Sequence, residues 1–449
     1  MEDDASLSKV SEGLLLQLDG CIGKLRWNAA ELPIAFSLVC RPNGAVVISA
    51  SDIPVSNESK FLWEIEAGRG HTLENFTISG VSADGIRIHT DHAYFTECGT
   101  RSDQTGDVFA LKASSNLLDV TWPGPPLNQN GGPYAIEYLI PGLDCLGVAS
   151  AQASFGTVTV RGSARAEDYD CITGTLAVES KVPEQLLAQP EDLDRNVRLI
   201  LDILSFAEGR FMDWSIRKTI IGGKVCSARL SGARGTTEPQ FPVFSYLNLE
   251  PVLRVALEKY TRQLCDKTGI DLAIEWFLMH PRYSELRFIT GMTALEHMIH
   301  VFSERNPLLP KTTFRKFVRP RVESELRAAV ATLQNGGNWT QEVEIMAHKL
   351  GDLNRRPLQE NLKKMLQHYQ VPLRDLVGEI PKLIQLRNDI VHIGHRPRSP
   401  DNPGLAHYNS VLRELLTRIF LTHLEYEGQY QSFLSGPEWV AFPPTEETT

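Results

Sequence analysis

The 449-residue sequence lacks the features that mark membrane and secreted proteins. No run of residues approaches the ~18–20 apolar side chains that a membrane-spanning helix requires. The sequence begins MEDD, which is acidic, whereas a secretory signal begins with basic residues followed by an apolar run. The seven cysteines are widely spaced and form no CxxC pair, which favours reduced thiols over a disulfide framework or a zinc site. We therefore expect a soluble, cytoplasmic protein.

Motifs for several common chemistries are missing as well. Three HxxH pairs occur, at 89–92, 297–300 and 392–395, but none has companion Cys or carboxylate residues at metal-ligand spacing. The glycine pairs at 131–132 and 222–223 are not followed by a helix with a lysine, so neither a P-loop nor a dinucleotide-binding fingerprint is present. No GxSxG motif marks a nucleophilic serine. We expect no metal and no cofactor.

Aromatic residues are also few, at 8%, but the 42% of apolar and 22% of charged residues are typical of a folded protein. The net charge of −10 argues against extensive coating of nucleic acid. The charge is unevenly distributed, however. Residues 1–185 carry −12 and the rest of the chain carries +2, within which residues 311–400 carry +7. The second part of the chain is therefore compatible with an anionic ligand.

Length and residue patterning predict two domains. Up to about residue 185, short alternating or β-branched runs are separated by turn signals such as Asn43-Gly44, as in a sandwich-like or barrel-like fold. Beyond it, apolar residues recur at helical spacing, interrupted by a hairpin with Gly222-Gly223 at its turn. The predicted fold class is therefore α+β multidomain. It comprises a β-rich N-terminal domain (1–185), a mainly α-helical domain with an inserted hairpin (186–436) and a flexible acidic tail (437–449).

An arginine and a histidine separated by four residues are a candidate pair for phosphate chemistry. This spacing occurs three times, at 87/92, 387/392 and 418/423, so the context must select among the matches. Arg87 and His92 lie in a predicted strand and turn, which favours a structural or solvent-facing role. Arg418 and His423 lie in the last predicted helix, where we expect an ordinary surface pair. The middle match has a different setting.

The middle match lies on a helix with a proline in its first turn and a glycine at its end. The predicted apolar stripe of this helix consists of Ile380, Leu383, Ile384 and Val391. Arg387 falls inside that stripe, which is costly unless the guanidinium meets an anion or a partner surface. Asn388 and His392 are i,i+4 neighbours, and His392 lies in the last turn, where the helix dipole favours an imidazolium.

These residues suggest a phosphate-binding site, because Arg396 and Arg398 follow the same helix within the basic segment. The alternative is an arginine that pairs with a carboxylate of a neighbouring helix, beside an incidental surface histidine. The residues alone do not decide between these two interpretations.

The helix that ends in RNDIVH at 387–392 resembles the signature of HEPN domains, which are helical modules that commonly act as metal-independent ribonucleases. The wider sequence resembles the ApeA family of bacterial anti-phage proteins, which joins a β-rich N-terminal domain to a C-terminal HEPN domain. The stretches that carry this likeness are LDILSFAEG at 201–209, ALEH at 294–297 and LVGEI at 376–380. The N-terminal domain matches more loosely, around GHTLEN at 70–75.

The resemblance implies a metal-independent endoribonuclease in abortive-infection defence, with RNA as substrate and no membrane partner. His392 would act as acid or base, Arg387 would stabilise the phosphate and Asn388 would orient His392 or the substrate. Because each helix supplies one such histidine, a homodimer or larger homo-oligomer would bring acid and base together. The acidic N-terminal domain would act as sensor or regulator, and a phage-derived molecule would trigger the activity.

Four further residues are weaker candidates. Glu296 lies on an apolar predicted helix and matches a glutamate of the ApeA pattern, so it can pair with Arg387, although a surface carboxylate or structural ion pair is favoured over a catalytic role. Asp389 would repel a phosphate unless it pairs with a histidine. Arg396 and Arg398 would bind RNA. The alternative to an enzyme is a non-catalytic module that binds RNA or a nucleotide, or that only dimerises.

Overall fold

The computed structural model divides the chain into two compact units, residues 1–258 (the β-unit) and residues 259–449 (the helical unit). The residues that the structure describes are 15–28, 30–56, 59–62, 76–103, 106–124, 134–143, 147–162, 171–180, 190–231, 242–244, 249–279, 284–303, 307–332, 340–373, 375–393 and 404–444.

The β-unit contains one large antiparallel sheet. Its strands are β1 (Leu16–Trp27), β2 (Ala30–Cys40), β3 (Val46–Pro54), β4 (Phe76–Val81), β5 (Arg87–Asp103), β6 (Gly106–Ser115), β7 (Leu117–Thr121), β8 (Tyr134–Pro141), β9 (Gly147–Ala153), β10 (Gly156–Gly162), β11 (Ile172–Ser180), β12 (Ile216–Ile221) and β13 (Lys224–Ser231). The strand order is β4-β1-β2-β3-β6-β5-β7-β13-β12-β8-β11-β10-β9, and β4 also pairs with β5. That second pairing closes the first six strands into a barrel, which confirms the β-rich N-terminal fold.

Alternating side chains fill the barrel. Along β2, Ile34, Phe36 and Leu38 are at most 4% exposed, and the residues between them are more exposed. The turn from β2 to β3 requires glycine at position 44. Gly44 has a φ of +77°, and a Cβ there would overlap the backbone oxygen of Ser231. The predicted turn is therefore fixed both by its backbone conformation and by its close approach to another strand.

Helix α1 (Pro190–Glu208) packs on the sheet of the β-unit. The predicted apolar face is confirmed, since each of its residues is at most 4% exposed: Leu193, Val197, Ile200, Leu201 and Leu204. On the flank of the helix, Asp194 accepts hydrogen bonds from the Tyr138 hydroxyl on β8, at 2.8 Å, and from Arg217 on β12, at 2.6 Å. This helix, whose last turn carries part of the family resemblance, thus belongs to the β-unit.

The predicted hairpin is confirmed as β12 and β13. Gly222 and Gly223 have φ values of +56° and +79°, as a two-residue turn of type I′ requires. The hairpin lies within the large sheet, because β12 pairs with β8 and β13 pairs with β7. The sequence pattern predicts a domain boundary near 185, whereas the structure divides at 258/259, because α1, the hairpin and all but the last residue of the helix at 249–259 join the β-unit.

The rest of the chain is mostly helical, as predicted. Its helices are α2 (Leu249–Lys259), α3 (Arg262–Thr268), α4 (Asp271–Leu278), α5 (Ser284–Ser303), α6 (Lys311–Thr313), α7 (Arg319–Thr332), α8 (Thr340–Lys349), α9 (Leu358–His368), α10 (Ile380–Ile393) and α11 (Leu405–His423). A π-helical turn, Phe314–Val318, joins α6 to α7, and a 3₁₀ helix, Leu350–Asn354, follows α8. Within the described residues, no helix is long and apolar enough to cross a membrane.

After α11 the chain forms a small hairpin of β14 (Gly428–Ser432) and β15 (Glu438–Phe442). Tyr430 is fully buried and Phe442 is 5% exposed, with their ring centroids 6.0 Å apart. Residues 438–442 therefore form a strand and not part of a flexible tail, because burial of these aromatic side chains fixes the hairpin. Of the predicted tail, residues 445–449 lie outside the described residues.

Candidate functional site

Helix α10 carries the predicted site within the helical unit. The helix buries Leu383, Ile384, Leu386 and Ile390, each at most 8% exposed, whereas Val391 is 49% exposed. The predicted stripe was therefore wrong at its last position, where Ile390 takes the place of Val391. Since the buried residues serve the core of the helical unit itself, most of the stripe is not available for a partner chain.

Arg387 is held by a carboxylate from another helix. Its Nε donates to Glu296 Oε1 of α5 at 2.6 Å, and its Nη2 donates to Glu296 Oε2 at 3.1 Å. The two side chains are 26% and 30% exposed, so the pair lies at the edge of the core. A bidentate pair of this kind fixes the plane of the guanidinium as well as its position. The structure thus brings these two predicted residues together.

Asn388 completes the contacts of Arg387. Its Oδ1 accepts a hydrogen bond of 3.2 Å from Arg387 Nη1. A guanidinium has five N–H donors, and these three contacts use three of them, which leaves two for a phosphate. Among the described residues no hydrogen bond joins Asn388 to His392, so Asn388 contacts the arginine and not the histidine. Asn388 thus helps to orient Arg387, the candidate phosphate-binding residue.

His392 is exposed in the last turn of α10 and makes no hydrogen bond to the part of the chain that the structure describes. Asp389 accepts a hydrogen bond of 2.7 Å from Gln385 Nε2, and it pairs with none of the histidines that the structure describes. An exposed imidazole at a helix C-terminus has access to an incoming substrate or to a second chain.

The described residues of the site have little net positive charge. Glu296 balances Arg387 and Asp389 adds a negative charge, while Arg396 and Arg398 lie outside the described residues. These residues can therefore orient a phosphate through directed hydrogen bonds, but long-range attraction of a polyanion requires cations in addition to them.

The other two Arg/His matches differ in their surroundings. Arg87 and His92 lie together in β5, which fits the predicted structural or solvent-facing role. Arg418 was predicted to form an ordinary surface pair, which is wrong. It is 5% exposed, and burial lowers the pKa of His423 to about 4.

Arg418 anchors a buried polar network that the sequence reasoning missed. Its guanidinium donates to Asp375 at 2.8 Å and to Glu414 at 2.9 Å. Glu414 also accepts from the Tyr430 hydroxyl and from Ser432, the latter at 2.8 Å. The hydrogen bond from Arg418 lowers the pKa of Asp375. No sequence signal indicates this burial, because Arg413, Glu414, Thr417 and Arg418 fall on one side of α11 as on an amphipathic helix. The structure nevertheless buries α11 all round from 411 to 421.

The described residues contain no group of three or more His, Cys, Asp or Glu side chains that could hold a metal ion. No protein-family model matches the chain, and no curated protein matches it. The likeness to HEPN domains and to the ApeA family therefore stays a prediction.

Proposed function

We propose that the protein is a metal-independent endoribonuclease of the HEPN type that acts in bacterial anti-phage defence. The observation that carries this proposal is that one helix presents both an arginine held in a fixed orientation and an accessible histidine. Arg387 is oriented by Glu296 and keeps two free donors, and His392 is exposed five residues later in the last turn. The resemblance of residues 387–392 to the HEPN signature agrees with this use.

The chemistry follows from the groups present. A ribose 2′-hydroxyl attacks the adjacent phosphorus, one imidazole takes its proton, and a second imidazole protonates the leaving 5′-oxygen. The free donors of Arg387 would stabilise the negative charge that develops on the phosphorane oxygens. Because each chain supplies a single His392, the second imidazole comes from a second copy of the chain. Val391, exposed beside His392, supports a contact of this kind.

The proposal assigns the acidic β-unit a regulatory role in the cytoplasm. Free ribonuclease activity is toxic to the cell that makes it, so the activity needs a control element. We assign this control to the β-unit, with a phage-derived molecule as trigger. The net charge of −12 over residues 1–185 makes that region a poor competitor for RNA, which agrees with a role other than substrate binding.

Cleavage of RNA in EDTA by the purified full-length protein tests the proposal. Wild type is expected to cut total RNA. His392→Ala is expected to lower the rate about 10²–10⁴-fold because it removes the acid–base group. Arg387→Ala is expected to lower it at least about 10²-fold because it removes charge stabilisation. Loss of wild-type activity in EDTA, or wild-type activity in both variants, would contradict the proposal.

The chain offers matched controls for both variants. His348 is exposed in the last turn of α8, as His392 is in α10, so His348→Ala should retain activity. Arg229 forms a half-buried bidentate pair with Asp119, with contacts of 2.7 and 3.0 Å. Arg229→Ala should therefore reproduce the stability cost of Arg387→Ala without its loss of activity.

The bidentate contact to Glu296 favours a second candidate, a non-catalytic module that binds RNA or a nucleotide, or that only dimerises. In such a module Arg387 would serve as half of a structural ion pair. The exchange Arg387→Glu with Glu296→Arg separates the two functions, because it retains an ion pair between the same helices. If Arg387 is catalytic, the exchanged variant should recover stability but not cleave RNA. If Arg387 is only half of a structural ion pair, the exchanged variant should recover both stability and RNA binding.

A further inference from the structure

A basic surface lies on the helical stretch from α6 into α7, away from the residues of the proposed site in the sequence. Residues 311–321 contain five basic side chains and no acidic one: Lys311, Arg315, Lys316, Arg319 and Arg321. We call this segment the basic arm. The first carboxylate after it is Glu323. The basic arm accounts for most of the +7 that residues 311–400 carry.

The charges of the basic arm have no ion-pair partner in the part of the chain that the structure describes. Arg319 is partly buried and the other four side chains are exposed. Arg327, on the same helical stretch, shows the contrast, since it pairs with Glu323 and Glu344, both at 2.8 Å. Other helix-surface arginines, such as Arg254 and Arg262, are paired as well.

This arrangement is unfavourable for the helix alone. Lys311, Arg315 and Arg319 follow one another at intervals of four, which places like charges on one side of the helix. Lys311 also lies at the start of the helical stretch, where the dipole disfavours a cation. An anion bound along this side would relieve both effects. The five charges are therefore better explained by a polyanionic ligand than by helix stability.

An exposed aromatic ring lies among these cations. Phe317 is 65% exposed within the π-helical turn, while Phe314 in the same turn is buried at 8%. Phe314 thus attaches the turn to the protein, and Phe317 projects from it. Proteins recognise single-stranded nucleic acid through two elements. Cations contact the phosphates along the backbone, and an aromatic ring stacks on a base. π-helical turns are frequent at functional sites.

We propose that the basic arm binds single-stranded segments of the RNA substrate, with its cations on phosphates and Phe317 stacked on a base. The choice of RNA as the polyanion rests on the proposed function. An anionic membrane would also attract the cations, but an interfacial helix needs an apolar face of several large side chains. Between 311 and 332, Phe317 is the one large apolar side chain that is exposed among the described residues.

Fluorescence anisotropy with a labelled 20-nucleotide RNA of mixed sequence tests this proposal. The full-length protein carries His392→Ala so that the RNA stays intact. The arm variant changes Lys311, Arg315, Lys316 and Arg319 to Gln. A charge-matched control changes Arg254, Arg262, Lys349 and Lys363 to Gln, which are exposed cations on other helices. Circular dichroism confirms that each variant is folded.

The proposal makes a quantitative prediction about salt. The arm variant lacks four phosphate contacts, each of which releases about 0.7 counterion on binding. Between 50 and 200 mM salt, the RNA affinity of the arm variant is therefore expected to fall about 50-fold less than that of its parent protein. Phe317→Ala is expected to weaken binding about 5- to 150-fold at every salt concentration, because stacking does not release counterions. The control variant should keep the affinity of its parent.

The outcomes separate this proposal from the proposed function. If the arm variant binds RNA like the control, the basic arm is not an RNA-binding surface, although RNA cleavage by wild type would still stand. If the arm variant loses RNA binding while wild type never cleaves RNA, the arm is confirmed and the ribonuclease is excluded. Binding of the arm to phosphatidylserine vesicles but not to RNA would overturn the proposal in favour of a membrane contact.

Discussion

At the scale of residues, the contacts of Arg387 bear on both the structure of the helical unit and the proposed chemistry. Glu296 takes one edge of the guanidinium and Asn388 takes a further donor, so the remaining donors point in a fixed direction. Fixing a charged group before substrate arrives avoids reorganisation during the reaction. The ion pair is therefore compatible with catalysis and supplies the rigidity that a catalytic arginine needs.

His423 makes stability depend on pH. It packs edge-on against Tyr369, with ring centroids 4.4 Å apart, and burial together with Lys267 lowers its pKa from 6.5 to about 4. Between these values the unfolded chain binds a proton that the folded chain does not bind. The contribution of His423 to stability is thus present above pH 6.5, declines as the pH falls and reaches a loss of up to about 3 kcal/mol near pH 4.

His423→Phe, which keeps a ring against Tyr369, is expected to flatten this part of the pH profile. Urea unfolding of wild type and variant between pH 4 and 7 measures the difference. His348→Phe is the control, because His348 is exposed and its substitution should leave the profile as in wild type. A profile that stays parallel to wild type after His423→Phe would contradict the account.

At the scale of elements, Arg418 joins α11 to the C-terminal hairpin. It compensates Glu414, whose side chain is 3% exposed and which accepts hydrogen bonds from two residues of β14. Arg418→Met leaves this carboxylate buried without its cation, and is expected to lower the free energy of unfolding by about 3–5 kcal/mol. Urea denaturation measures the change.

The double variant Arg418→Met with Glu414→Leu separates charge from packing. It removes both buried charges together, so it should recover most of the stability lost in Arg418→Met. The exposed pair of Arg262 and Asp266 provides the comparison, because breaking it should cost no more than about 1 kcal/mol. If Arg418→Met costs equally little, the network does not stabilise the hairpin.

Local patterns predicted elements more successfully than they predicted partners. The apolar face of α1 and the turn at Gly222-Gly223 depend on residues close in sequence, and both are confirmed. The place of the hairpin in the large sheet depends on β7 and β8, which come from far earlier in the chain. The burial of Arg418 likewise depends on Asp375, 43 residues away. Spacing along the sequence carries no information about such contacts.

The same limit applies to the candidate site. The sequence placed Arg387, Asn388 and His392 on one helix, and it offered Glu296 as a partner of the arginine, which the structure shows. It could not give the direction of Asn388, because the amide can reach either neighbour. It also assigned Val391 to the buried stripe, since a pattern of apolar residues does not reveal that Ile390 occupies that place.

At the scale of the whole molecule, the two units differ in charge and in architecture. A net charge of −10 conceals an acidic β region and a basic arm whose five cations are unpaired in the part of the chain described. We propose regulation for the first, capture of RNA for the second and chemistry for α10. Regulation and RNA capture rest on the proposed ribonuclease, but the three roles are carried by different residues and can be tested separately.

The ends of the RNA fragments made in EDTA test the central claim most directly. Attack by the 2′-hydroxyl leaves a 2′,3′-cyclic phosphate on one fragment and a 5′-hydroxyl on the other. We predict these ends from wild type and from His348→Ala, and cleavage slowed about 10²–10⁴-fold in His392→Ala. Fragments with 5′-phosphate and 3′-hydroxyl ends, or cleavage by His392→Ala at the wild-type rate, would contradict the account.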